Sequence, residues 1–339
     1  MARERRPSRP PRRESVRALR ESNGMAVGAG HAHIAKIQRA RILSATFDTL
    51  AELGAANTSV ADIVTRSGVS RRTFYELFAD REDCCTAAFE HALDLAAQSV
   101  LPGYEAQGRW SERIRCGLDA LLRFLDEQPP IARVLIVESL AAGPGVLRRR
   151  AEAIERLIAA VDAGRVESKL APRLLPLTAE GTVGGVLSIL QTSLAREPRE
   201  PLVKLLNPLM GMIVMPYLGA AAARRELERP AQPPQRATPP SASPLVDPFK
   251  PAGMRLTYRT VRVLMTVAEH PGASNRTIGD AAEIRDQGQI SKLLNRLKRY
   301  GLIDNTGVAP GQGAPNAWAL TPAGEQMASS LRTHTEELQ

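Results

Sequence analysis

The stretch Ser67-Gly68-Val69-Ser70-Arg71-Arg72-Thr73-Phe74-Tyr75-Glu76-Leu77-Phe78 decides how the chain is read. Only 4% of the 339 residues are aromatic, yet three aromatics fall within five positions here, directly behind two arginines. On a helix, Phe74, Leu77 and Phe78 share one face through i+3 and i+4 steps, and that face calls for burial. Arg71, Arg72 and Tyr75 share the other. Ser70 has the chemistry of an N-cap, and Gly68 suits the end of a preceding helix. A short capped helix that offers two cations, the Thr73 hydroxyl and a phenol suits phosphates and base edges in a major groove.

The neighbouring residues give this helix a partner. Ser59-Val60-Ala61-Asp62 has capping-box form and starts a short helix with Val60, Ile63 and Val64 inward. Upstream, Ile34, Ile37, Ile42, Leu43, Ala45, Phe47 and Leu50 recur at helical spacing until Gly54. Three helices, the last two joined by a Gly-containing turn, make a helix-turn-helix.

The run Thr58–Asp83, TSVADIVTRSGVSRRTFYELFADRED, resembles the DNA-binding signature of TetR-type transcriptional regulators. The resemblance covers about residues 34–95. It implies that Ser70, Arg71, Arg72, Thr73 and Tyr75 meet the groove while Ser59 and Arg81 hold the DNA backbone. Asp80 stands where many members carry Ser or Pro.

Residues 83–228 read as helices throughout: Trp110–Asp126, Ile131–Leu140, Leu147–Val161, Gly181–Ala195 and Pro201–Ala223. The last two are almost free of charge, which favours a homodimer interface. The family resemblance implies the same, with a pocket for a small-molecule effector in this helical domain. Leu205–Ala223 runs nineteen residues without a charge. Its Asn207, Pro208 and Pro216 favour a buried helix over a membrane span.

Residues 229–250 are Pro/Ser/Ala-rich and read as a semi-stiff linker. Beyond them Tyr258–Glu269, a Ser274-capped helix to Ala282 and a longer helix with Ile290, Leu293, Leu294 and Leu297 inward precede two strands, Leu302–Asn305 and Ala317–Leu320. Thr321-Pro322 opens a last helix. The run LKRYGLI with the later WALTPAGE resembles the MarR-like winged-helix group. That resemblance implies a second recognition helix, with Gln287, Gln289, Ser291, Lys292, Asn295 and Arg296 as candidate DNA contacts. The wing tip lacks the Asp-Arg pair of many such members, and ten basic residues stand against eight acidic ones after position 250, so a protein-contact role is the alternative.

The expected architecture is therefore mainly α. It has a basic disordered arm (1–30), a three-helix helix-turn-helix head (31–80) and an all-helical ligand-binding and dimerisation domain (81–228). A linker (229–250) and an α+β winged helix (251–339) follow. The formal charge of +9 points to an anionic partner, with ten Lys/Arg against three Glu in residues 1–40. Expected partners are double-stranded DNA, a second copy and a small effector, with no membrane, in the cytoplasm at the nucleoid. An architectural binder of DNA or of a membrane surface, acting through the basic arm without an effector, is the other non-enzymatic reading.

Enzyme chemistry finds little support. His31, His33, His91, His270 and His334 are scattered. Cys84, Cys85 and Cys116 lack zinc-site spacing, and no Gly cluster sits between a strand and a helix. Neither cofactor nor metal is expected.

Overall fold

The computed structural model describes residues 35–106, 108–196, 198–230, 258–307 and 316–336. The expected arm at 1–30 and all but the first two residues of the linker lie outside that range, as does most of the expected wing tip. The chain divides into two compact units, Ala40–Val246 and Asp247–Gln339 with the described residues up to Arg39.

The first unit is helical. Helix α1 covers residues 35–53; α2 is Val60–Ser67, α3 Arg71–Leu77, α4 Arg81–Tyr104, α5 Trp110–Glu127, α6 Pro129–Ile136, α7 Pro144–Asp162 and α8 Thr178–Leu194. Helix α9, Leu206–Leu218, and α10, Ala220–Leu227, complete it. One continuous core runs from Ile42, Phe47 and Leu50 of α1 through Phe74 and Phe78 to Leu122, Leu190 and Val214. Helix α4 begins on an Asp80 cap, whose side chain accepts from the Asp83 N–H at 2.8 Å; Asp83 in return accepts from the Ala79 N–H at 2.9 Å.

Two expected helices are divided differently in the structure. The segment expected as Ile131–Leu140 starts earlier, on Pro129 and Pro130, and closes in a separate 3-10 turn at Glu138–Leu140. Proline suits a first turn whose N–H groups have no helical partner. The run Pro201–Ala223 is three pieces rather than one helix: a 3-10 turn at Leu202–Leu205, then α9, then α10. Gly219 breaks it, with φ at +83°, a conformation costly for residues with a Cβ.

Charged partners far apart in sequence fasten α5 to the end of the unit. Arg115, side chain 6% exposed, pairs with Glu226 at 2.6 Å and donates to Asn207 at 2.8 Å. Arg229 meets Glu112 through two contacts of 3.2 Å. On the same helix Trp110 packs against Tyr217, ring centroids 5.0 Å apart. Burial, then the nearby Asp162 charge, pushes the Tyr217 phenol up to about 12.

The second unit runs three helices, two short strands and a last helix in chain order. Helices α11 (Tyr258–Glu269), α12 (Asn275–Ala281) and α13 (Gln287–Arg299) precede strands β1 (Ile303–Asn305) and β2 (Trp318–Leu320), then α14 (Pro322–Glu336). The strands pair antiparallel, Ile303 opposite Leu320 and Asn305 opposite Trp318. Val263, Leu264, Val267, Ile278, Ile290, Leu294, Leu297 and Trp318 form its core.

Candidate nucleic-acid interface

Helix α2 starts because Ser59 leaves the helical region while its Oγ accepts from the Asp62 N–H at 3.3 Å. Asp62 answers by accepting from the Ser59 N–H at 2.9 Å, completing the capping box. The Ser59 hydroxyl also donates to this carboxylate. These bonds to Ser59 hold the Asp62 carboxyl below its usual range. Gly68 ends the helix in the left-handed region, φ +65°, with its N–H on Val64 O. Ser70 then caps α3 by accepting from the Thr73 N–H at 3.1 Å.

The two faces of α3 separate sharply. Phe74 and Phe78 are 0% and 2% exposed, with centroids 5.6 Å apart. Leu77 is half-buried. On the outer side Arg72 is 89% exposed and Tyr75 55% exposed, the latter standing edge-on to Phe74. Arg71 is exposed and has no hydrogen bond or ion pair among the described residues. Arg72 bonds Glu76 one turn on, Nε to Oε1 2.8 Å. Such a solvated pair contributes only about 0.3–0.5 kcal/mol, so it yields readily to a phosphate. Thr73 is partly exposed, its hydroxyl 2.9 Å from that of Ser70.

Arg81 points elsewhere. Its Nη1 donates to Ala55 O at 2.7 Å and lies 3.5 Å from Thr58 O. The resemblance implied a DNA-backbone contact for this residue; the structure sends the guanidinium inward to the turn between α1 and α2. The structure thus brings Ser70, Arg71, Arg72, Thr73 and Tyr75 to one outer face, with Ser59 and Arg81 engaged inside the motif.

In the second unit α13 is capped by Asp286, which accepts from the N–H groups of Gly288 and Gln289 at 2.8 and 3.2 Å. Several of its polar residues have partners. Gln289 accepts from Arg259 at 2.8 Å, Ser291 from Asn275 at 3.0 Å, and Arg296 lies over the Tyr300 ring at 6.0 Å. Gln287, Lys292 and Asn295 are exposed. Asn275 is a hub: its Oδ1 also accepts from Trp318 Nε1 at 2.6 Å and from Asn316 Nδ2 at 3.2 Å. Reading by sequence spacing missed Asn275, because its partners lie 16, 41 and 43 positions away.

Among the described residues no group of three or more His, Cys, Asp or Glu is placed to hold a metal ion. Cys84 and Cys85 are buried and Cys116 is exposed.

No curated protein matches the chain. Among solved structures it is similar to the fatty acid degradation regulator FadR from Bacillus halodurans, at 16% identity over 52% of this chain and 94% of that one, TM-score 0.47. It is also similar to the transcriptional regulator FadR from Bacillus subtilis in complex with stearoyl-CoA, at 19% identity over 51% and 96%, TM-score 0.44. A third is RolR in complex with resorcinol, at 24% identity over 60% and 98%, TM-score 0.42. The family with a match is one of regulatory proteins, not of enzymes. Residues 42–88, which hold α2, α3 and the cap of α4, match the family described as bacterial regulatory proteins, tetR family, and form a TetR-type N-terminal domain.

Proposed function

We propose that the chain is a dimeric, sequence-specific DNA-binding repressor whose operator affinity is set by a small molecule held in its helical unit. The outer face of α3 carries this reading: Arg71, Arg72, Thr73 and Tyr75 stand outward on a helix capped by Ser70 and seated on Phe74 and Phe78. Arg71 and Arg72 supply charge to phosphates and guanine edges, and Thr73 and Tyr75 supply hydroxyls. Ser59, Ser70 and Arg81 hold the two helices of the motif in shape.

Pairing is supported by α8 and α9. Gly181 and Gly184 face open space, and uncharged Ser188, Ile189 and Met215 are exposed nearby. A second copy covering this face would set two α3 helices on half-sites about one helical turn, ~34 Å, apart. An effector that favours another separation of the heads lowers affinity by population shift. In the second unit the exposed Gln287, Lys292 and Asn295 offer donors to a duplex, with Gln289, Ser291 and Arg296 tied to neighbours behind them.

The test is enrichment of duplexes from a random pool by the full chain, followed by anisotropy against the enriched and a scrambled duplex at one salt concentration. The expected result is a clear preference for the enriched duplex by a chain that sediments as a dimer. Equal affinity for both duplexes, or a single subunit in solution, overturns the proposal.

A further inference from the structure

Ala55 lies in the turn between α1 and α2, 1% exposed. Both of its backbone polar groups are held by ionised side chains from distant parts of the same unit. Its N–H donates to Glu138 Oε2 at 2.8 Å, across 83 positions. Its carbonyl accepts from Arg81 Nη1 at 2.7 Å, across 26. Glu138 sits in the 3-10 turn that follows α6, its side chain 11% exposed and its second oxygen 3.5 Å from Arg133. Arg81 is the first residue of α4. A further contact joins the same two regions, with Gly145 N–H donating to Glu82 at 3.3 Å.

A buried peptide N–H or carbonyl needs a partner, and charged partners make the stronger bonds. One residue gripped from both sides by opposite charges is fixed in position and in rotation. Ala55 is followed within four residues by Ser59, which caps α2, and α2 leads through Gly68 to α3. We infer that Arg81 and Glu138 are positioning residues for duplex binding, which set the helix-turn-helix at a fixed angle on the helical body by gripping Ala55. This rests on the DNA-binding reading above.

The experiment uses the full chain and the enriched and scrambled duplexes. Glu138→Ala and Arg81→Ala should each weaken binding to the enriched duplex about tenfold while leaving scrambled-duplex binding unchanged. The double variant should lose little more than either single one, because both act through one residue. Glu138→Gln should stay within about twofold of wild type, since its amide oxygen still accepts from the same N–H. Amide exchange at residues 55–58 should quicken in Glu138→Ala and not in Glu138→Gln. Wild-type affinity in Glu138→Ala, equal losses on both duplexes, or a Glu138→Gln as weak as Glu138→Ala overturns the positioning role alone. A wild-type chain that enriches no duplex overturns the functional reading and this role with it.

Discussion

Helices α3 and α13 each follow a short serine-capped helix, but more of the polar side chains of α13 are engaged by neighbours. Helix α3 has seven residues, held beneath by two phenylalanine rings tilted against each other, and among the described residues its arginines are bound to nothing stronger than one solvated glutamate. Helix α13 has thirteen residues, seated on Ile290, Leu294 and Leu297, and several of its polar groups are spent on Arg259, Asn275, Tyr300 and Asp304. Outward groups without firm partners are available to a ligand; groups already bonded must first be released. By that measure the outer face of α3 is more open to a ligand than that of α13.

The largest expected effect probes the seats. Phe74→Ala removes a fully buried ring from under a two-turn helix and should cost about 3–5 kcal/mol. Ile290→Ala, in a longer helix with two further buried leucines, should cost about 2–4 kcal/mol. Denaturant unfolding checks both, and a larger loss at Ile290 breaks the contrast.

Next comes the reading surface. Joint replacement of Arg71 and Arg72 by Ala should reduce affinity for the enriched duplex about a hundredfold, against less than tenfold for Lys292→Ala with Asn295→Ala. Anisotropy titrations decide it; equal losses make the two helices equivalent readers.

A smaller effect belongs to the amide hub. Asn275→Ala leaves the Trp318 indole N–H and the Ser291 hydroxyl without their partner and should cost about 1–3 kcal/mol. The tryptophan fluorescence midpoint of the second unit should fall while amide exchange around Phe74 stays unchanged. A shift at Phe74 as well would show that the effect of Asn275 is not confined to its own unit.

The smallest contrast is one of pH and salt. Asp62 and Asp304 are both held below the ordinary carboxyl range, by bonds to neutral Ser59 in one case and chiefly by Lys298 in the other. A depressed folded pKa contributes stability that is present above the unfolded value and lost as pH falls through the folded one. Carbon-detected NMR titration should place both midpoints below the range of an ordinary aspartate carboxyl. Raising salt should move Asp304 back toward that range and leave Asp62 in place. The reverse response would contradict the causes assigned here.

What could be read in the sequence follows the range of each interaction. The Ser59–Asp62 box, the Ser70 cap, the inward Phe74 and Phe78 and the two short strands depend on partners within a few positions or on simple alternation. The inward turn of Arg81, the grip of Glu138 on Ala55 and the burial of Arg115 against Glu226 depend on partners 26, 83 and 111 positions away. An exposed and an inward arginine look alike in a sequence. The break at Gly219 was hidden for a different reason: the apolar pattern continues across it, and only backbone geometry shows the bend.

That break settles how far the apolar stretch Leu205–Ala223 can reach. Helix α9 has thirteen residues, which at 1.5 Å each amount to about 20 Å of straight rod. The hydrocarbon layer of a bilayer is about 30 Å thick. Among the described residues no single helix is long and apolar enough to cross it, and the apolar run Leu202–Leu218 ends where Gly219 takes a positive φ.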